Sequence, residues 1–252
     1  MPHMQSSAIQ LYTLRDLTAK DFAGTMKAVA KLGYKYVETA GYGDLKTAKA
    51  AKQALDDAGL KASSGHFAID LLEKNIEQVL ADAQTLEIET VVCPFIAEDR
   101  RKDYVATAKV LETAGSQLHQ HGVVLAYHNH SFEFQKFGGK YGLDILYENT
   151  SPHLVVAEID VYWVQHGGVD PAEYCDKLGE RVRLLHLKDM GEGQEKRFAP
   201  VGTGIMDFKP ILAVAEKHRV RWGIVEQDQT YGTPPLEAIK VSMENLKKWG
   251  AV

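Results

Sequence analysis

Short runs of apolar and β-branched residues alternate with longer amphipathic segments along the whole chain. That alternation belongs to a parallel sheet whose strands are joined by crossover helices. Eight strands are predicted, at residues 8–13, 36–39, 61–66, 90–94, 123–129, 154–160, 182–187 and 222–227. Most are apolar throughout, as expected of strands covered on both faces. Eight helices follow them, at 19–31, 45–58, 71–86, 102–121, 143–148, 171–177, 207–218 and 235–249. In the fourth, Val105, Ala108, Leu111, Ala114 and Leu118 recur at spacings of three and four and mark one apolar stripe. Gly33, Gly59 and Gly122 each close a helix and precede a strand, where a residue of positive φ satisfies the last helical carbonyls.

Eight such units either close into a barrel or open into a doubly wound sheet. The open fold places a Gly-rich phosphate loop after its first strand. Here that place holds Leu11-Tyr12-Thr13-Leu14-Arg15-Asp16, which is no such loop. A chain of 252 residues is also near the usual size of an α/β barrel. The expected fold is therefore α/β, a single (β/α)8 TIM barrel domain over residues 1–252, with residues 1–7 a tail. The richest glycine stretch, residues 137–142, is one loop within the series.

At 45% hydrophobic and 25% charged, the chain has the balance of a globular protein with a sizeable core. Its formal net charge of −5 argues against a nucleic-acid partner, because affinity for phosphate backbones is built from Lys and Arg. No apolar run reaches the roughly 18 residues that read as a membrane span, so no membrane partner is expected. The N-terminus lacks a basic-then-apolar signal pattern; a cytoplasmic location is expected, with export after signal removal left open. Cys93 and Cys175, the two cysteines, lack metal-ligand spacing and are read as buried free thiols.

In a barrel of this kind the chemistry gathers at the C-terminal strand ends, where the βα loops converge. There the sequence places Arg15, Glu38, His66, Cys93, His128 with Asn129 and His130, Glu158 with Asp160, His186 with Lys188 and Asp189, and Glu226 with Asp228. Unpaired buried charges cost several kcal/mol, so this many require partners. Glu133, Asp160, His186 and Glu226 offer three carboxylates and an imidazole, a set suited to one divalent ion: Mn, Mg, Co or Zn. A core histidine bonded to a carbonyl is the alternative for His186. Glu158 points to the same side as Asp160, one layer deeper, as a partner for Lys188 or for the metal shell. His128 and His130 share a strand side and are either acid/base groups or hydrogen-bond partners of neighbouring strand ends. Arg15, Lys188, Glu38 and His66 are candidate substrate contacts, with surface ion pairs or interstrand bonds as the plainer reading. Trp163 and other loop aromatics can pack on the C–H face of a sugar.

These residues carry a resemblance. Gln10-Leu11-Tyr12-Thr13-Leu14-Arg15, Leu32-Gly33-Tyr34-Lys35-Tyr36-Val37-Glu38, Tyr127-His128-Asn129-His130-Ser131-Phe132-Glu133-Phe134, Glu158-Ile159-Asp160-Val161-Tyr162-Trp163, His186-Leu187-Lys188-Asp189, the Val201–Phe208 run and Val225-Glu226 resemble the xylose isomerase-like TIM barrel superfamily. Within it the chain is similar to the sugar phosphate isomerase/epimerase group. The resemblance implies a metal held by a carboxylate after strand five, Asp160, His186 and Glu226. One position departs from the pattern: relatives commonly end strand five in Glu-Asn-His, and here the run is His128-Asn129-His130, with Glu133 the nearest carboxylate.

The leading expectation is a metal-dependent isomerase or epimerase acting on a sugar or polyol. Glu133, Asp160, His186 and Glu226 hold the ion, and Glu226 and His128 exchange the proton, with Glu133 and His130 as further catalytic candidates. Substrate contacts fall to Arg15, Glu38, His66, Lys188, Glu158 and Trp163, and a homo-oligomer is allowed. The main alternative is a lyase or hydrolase of keto-sugars or inososes on the same constellation, favoured by the His-for-Glu exchange. An abasic-site nuclease and a non-catalytic sugar-binding barrel are the remaining rivals; the nuclease lacks the larger metal cluster and basic groove it needs.

Overall fold

Successive residues of a strand face opposite sides of its sheet. In a barrel one side packs on the helices and the other fills the interior, and the two sides here are chemically different. The computed structural model describes residues 4–251, in which eight parallel strands close in sequence order, the eighth pairing with the first. They are β1 (Gln5–Gln10), β2 (Tyr36–Thr39), β3 (Lys61–His66), β4 (Thr90–Cys93), β5 (Val124–His128), β6 (Val155–Asp160), β7 (Val182–Leu187) and β8 (Trp222–Val225).

Ile9, Val37, Val91, Leu125, Ile159, Leu185 and Val225 face outward and pack with helix residues such as Phe22, Leu55 and Leu111 in one large core. The inward positions Ala8, Val92, Ala126, Val156, Leu184, Trp222 and Ile224 form a separate apolar cluster inside the barrel. Tyr36 and Trp222 meet edge to face there, with ring centroids 4.7 Å apart. One step of two residues further along the same inward columns the chain places Gln10, Glu38, His128, Glu158, His186 and Glu226, all buried. The interior is thus greasy at the N-terminal end and ionisable at the C-terminal end.

The strands at 36–39, 61–66 and 182–187 coincide with expectation. Elsewhere local capping shifts the boundaries. β1 stops at Gln10, whose side-chain oxygen accepts from the Tyr12 amide at 3.0 Å and turns Leu11–Leu14 into a 3-10 helix instead of strand. The helix expected at 19–31 begins at Phe22, because Asp21 caps it by accepting from the Gly24 amide. The helix expected at 71–86 divides into Ile69–Lys74 and Ile76–Leu86 at Asn75, whose backbone is extended in φ at −149°. Residues 5–7, expected in a tail, have their backbone in β1, with Gln5 paired to Trp222; the rest of that tail up to residue 3 lies outside the described residues. Gly33, Gly59 and Gly122 have the positive φ expected at helix ends. Cys93 and Cys175 are free and buried, and burial pushes both thiols up to about 12. Among the described residues no helix is long and apolar enough to cross a membrane.

Candidate active site at the C-terminal mouth of the barrel

Strand register sets the site. It pairs Gln10 with Glu38, Glu38 with Ser64, His128 with Glu158, and Asp160 with His186. Glu38 is fixed at the barrel floor: Gln10 Nε2 donates to one carboxylate oxygen at 2.7 Å and Ser64 Oγ to the other at 2.6 Å. His186 spans the interior, with Nε2 2.7 Å from Glu38 Oε1 and Nδ1 2.7 Å from Glu226 Oε2. Glu158 Oε2 sits among three imidazoles, 3.1 Å from His66 Nε2, 3.1 Å from His128 Nδ1 and 3.3 Å from His186 Nε2. Nearer the mouth, the Lys188 ammonium lies 2.9 Å from Asp160 Oδ2, 2.8 Å from Glu226 Oε2 and 2.7 Å from Asp228 Oδ1.

Asp160 is oriented twice over. Its Oδ1 accepts from the Trp163 amide and caps the short helix Val161–His166, which follows β6 without a loop. Its backbone amide donates to Asn129 Oδ1 at 3.1 Å, so the asparagine of the His128-Asn129-His130 run ties β5 to β6. Asp189 likewise acts on backbone: its carboxylate accepts from the amides of Met190, Gly202, Gly204 and Met206, pinning the loop after β7.

Burial and neighbouring charge pull the ionisable groups apart. Burial would raise the Glu38 carboxyl, but the His66 and His186 imidazoles hold it well below its ordinary range. Burial alone would lower His66, yet Glu38 and Glu158 carry it up to about 9, and the carboxylates around His186 carry that group well above its ordinary value. His128 is driven well below its usual value by burial and by the surrounding imidazoles. Burial and the Lys188 charge take His130 down to about 3. Asp160 is raised by burial to about 6 even with Lys188 beside it, whereas Lys188 and His186 hold Glu226 below the usual carboxylate range against its burial. Lys188 stays protonated, its ammonium favoured by Asp160, Glu226 and Asp228 over the cost of burial.

A cavity of about 430 Å³ opens over this network, lined by His66, His128, His130, Lys188, Glu226 and Asp228, with Tyr12 and Phe95 at its rim. A larger cleft of about 870 Å³ lies elsewhere, beside Phe208 and Trp249, and none of the predicted site residues lines it. The structure brings together Glu38, His66, His128, Glu158, Asp160, His186, Lys188 and Glu226. Trp163 lies behind His130, with centroids 5.4 Å apart. Two expected residues stand apart. Glu133 was expected to ligate the metal and serve in catalysis, but its carboxylate accepts from Tyr127 Oη at 2.7 Å and the His130 amide at 2.8 Å, in the layer outside the barrel wall. Burial there raises it to about 7. Arg15 was expected to touch substrate; its guanidinium donates to Tyr12 O and covers the Tyr12 ring, outside the cavity lining. Gln10, Ser64 and Phe95 were not foreseen. Gln10 and Ser64 occupy inward columns next to Glu38, and that parity was the available signal.

Two groups of four place one ligand atom each within 4.8 Å of one another: His128, Asp160, His186 and Glu226, and beneath it His66, His128, Glu158 and His186. The donors are imidazole nitrogen and carboxylate oxygen, Glu158 Oε1 is buried without a partner, and this chemistry fits a divalent metal. Of the two strand-five candidates, His128 stands within this outer group and Glu133 does not.

Residues 26–249 match the xylose isomerase-like TIM barrel family. The chain belongs to this family. Its fold is shared with a sugar phosphate isomerase/epimerase from Parabacteroides distasonis, at a TM-score of 0.84 and 24% identity, covering 100% of this chain and 96% of that one. A probable 3-DHS dehydratase from Bacillus anthracis superposes at a TM-score of 0.70 with 13% identity, covering 96% and 99%. Among curated proteins, the xylose isomerase-like barrel is similar to an inosose dehydratase of Clostridium tetani, 29% identical over 58% of this chain and 54% of that protein. The chain thus spans about half the length of that relative. An inosose dehydratase of Geobacillus kaustophilus is 26% identical, over 69% of this chain and 72% of its own length. The expected class of isomerase is corrected by these relatives, which are named as dehydratases and so as lyases. Manganese, among the metals expected, is not singled out by the donor set, which fits several divalent ions.

Proposed function

We propose that this xylose isomerase-like barrel is a metal-assisted lyase that removes water from a cyclic polyhydroxy ketone of the inosose or keto-sugar type. The observation that carries the reading is the run of curated relatives named inosose dehydratase, at up to 29% identity. The side chains facing the cavity supply what elimination beside a carbonyl requires: a base for the α-proton, a cation for the oxyanion, and an acid for the departing hydroxyl.

His130, whose ring lines the cavity, is the base. It takes the proton from the carbon beside the carbonyl, and the C–H electron pair becomes the enolate double bond. The Lys188 ammonium, among Asp160, Glu226 and Asp228, holds the oxygen that gains charge. The imidazolium at His130 then returns its proton to the β-hydroxyl as the C–O bond breaks. Water leaves, an enone remains, and the base is regenerated. Asp160 and Glu226 would hold a divalent metal, whose charge would further polarise a carbonyl bound there. Glu226, kept ionised, and His128, bonded to Glu158, orient the hydroxyls around the reacting carbons. Phe95 and Tyr12 cover the apolar ring face.

The test is incubation of the metal-loaded protein with a panel of inososes and keto-sugars, following the conjugated enone by ultraviolet absorbance. Enone formation that falls by roughly 10²–10⁴-fold in His130→Ala is expected. Deuterium appearing in recovered substrate with no loss of water from any member of the panel would refute dehydration.

A further inference from the structure

The two groups of potential ligands share His128 and His186 but address different nitrogens of each ring. Nearer the mouth, His186 Nδ1 faces Glu226 at 2.7 Å and His128 Nε2 faces Asp160 at 3.7 Å. On the deep side, His128 Nδ1 and His186 Nε2 converge with His66 Nε2 on Glu158 Oε2, at 3.1, 3.3 and 3.1 Å. The negative charge of the outer group already has a cation, since the Lys188 ammonium touches Asp160, Glu226 and Asp228. The deep group has no ammonium, and its carboxylates face the rings of His66, His128 and His186 instead. Glu158 is fully buried, three ring nitrogens crowd one of its oxygens, and its other oxygen, Oε1, has no partner. A buried carboxylate oxygen left in this way is costly and calls for a ligand.

We propose that His66, His128, Glu158 and His186 form a second metal site, distinct from the outer one, selective for a zinc-class ion. Three imidazoles and one carboxylate are the donor set of a four-coordinate zinc or cobalt centre, and too poor in oxygen for magnesium or calcium. The outer carboxylates then act on the far ring nitrogens. Glu226 receives the His186 Nδ1 proton at 2.7 Å, the carboxylate–histidine–metal arrangement that fixes a tautomer and turns Nε2 toward the ion. Glu38, held by Gln10 and Ser64, stands 2.7 and 3.0 Å from the His186 and His66 nitrogens as a fixed negative charge beside the ion position. A neutral imidazole ligates through one nitrogen at a time, so the deep ion would take His128 Nδ1 and His186 Nε2 and leave the outer position to Asp160 and Glu226.

The proposal concerns ion binding and stands apart from dehydration, so its test uses no substrate. The full chain is stripped with chelator and titrated with zinc by calorimetry, and with cobalt(II) by visible absorption, where a four-coordinate centre gives an intense band. His66 belongs only to the deep group and Asp160 only to the outer one. His66→Ala is expected to lose the cobalt band and to weaken zinc by more than the roughly 10–100-fold that loss of an outer partner costs, while Asp160→Asn stays within about tenfold of the parent. His66→Gln, which retains a polar side chain, serves as a second variant, and thermal melting confirms that each variant is folded. Zinc bound by His66→Ala or His66→Gln as tightly as by the parent would overturn the proposal. So would a greater loss in Asp160→Asn than in the His66 variants, or absence of zinc binding to the parent.

Discussion

Replacing Lys188 by methionine isolates the electrostatics of the mouth. The ammonium is 2% exposed and lies 2.7–2.9 Å from three carboxylates. At an effective dielectric constant of about 20, each such contact attracts by about 6 kcal/mol, most of it offset by desolvation and by repulsion among the acids themselves. Methionine nearly fills the same volume, so the loss is chiefly of charge. Breaking a buried ion pair from one side costs about 3–5 kcal/mol. For a chain of this size each kcal/mol moves the melting temperature by about 2–4 °C, so a fall of roughly 6–20 °C is expected. The effect also has a required pH sense. Asp160 titrates at about 6 in the folded parent, above its ordinary 3.8, so the stability linked to its proton is fully present below about 3.8 and is lost as pH rises through about 6. Without Lys188 the carboxyl rises further, and the deficit of the variant must be largest near pH 8 and shrink on acidification. Calorimetry of the chelator-treated proteins from pH 5 to 8 reads both quantities. A melting temperature within about 2 °C of the parent at pH 8, or a deficit that grows as pH falls, would refute the argument.

Two other substitutions follow from groups the mechanism does not use. Glu133, raised by burial to about 7 from 4.5, contributes stability that is present below about 4.5 and disappears as pH rises through about 7; comparing Glu133→Gln with the parent by urea unfolding across that window should show a relative change on the order of 3 kcal/mol. Asp189→Ala frees four loop amides from their acceptor and is expected to cost at least about 3 kcal/mol and to raise hydrogen exchange at Gly202, Gly204 and Met206, whereas Asp189→Asn, which keeps one oxygen, should lose less.

The barrel was legible because its signal is spread over eight strand–helix units, and no single boundary decides it. What the pattern misplaced was local. Gln10 ends β1 by capping a turn with its own side chain, and Asn75 breaks a helix whose apolar spacing continues across the break. Neither leaves a trace in hydrophobic periodicity. In the site, position at the C-terminal strand ends picked out Glu38, His128, Glu158, His186 and Glu226, all of which are buried there. It did not separate residues that address the cavity from those that address backbone, since Asp189 and Asn129 read in sequence like ligands and serve as acceptors for neighbouring amides. Nor could it foresee that Lys188 would place a cation among Asp160, Glu226 and Asp228.

The strand-five exchange connects these observations to the proposed reaction. Proton transfer between two metal-bound carboxylates on opposite faces of a substrate requires an acid group at the end of β5. The chain has His128 there, committed by Nδ1 to Glu158, and its nearest carboxylate, Glu133, is turned through the barrel wall toward Tyr127. Glu133 cannot be recruited by a rotamer change alone, because its two oxygens hold the Tyr127 hydroxyl and the His130 amide, and freeing them leaves buried donors without acceptors. The cavity therefore offers one ionised carboxylate of that former pair, Glu226, facing imidazoles and an ammonium. Such a pairing is poorly suited to returning a proton to the opposite face of an enolate. It is well suited to taking a proton and delivering it to a leaving oxygen on the same side, which is the demand of dehydration.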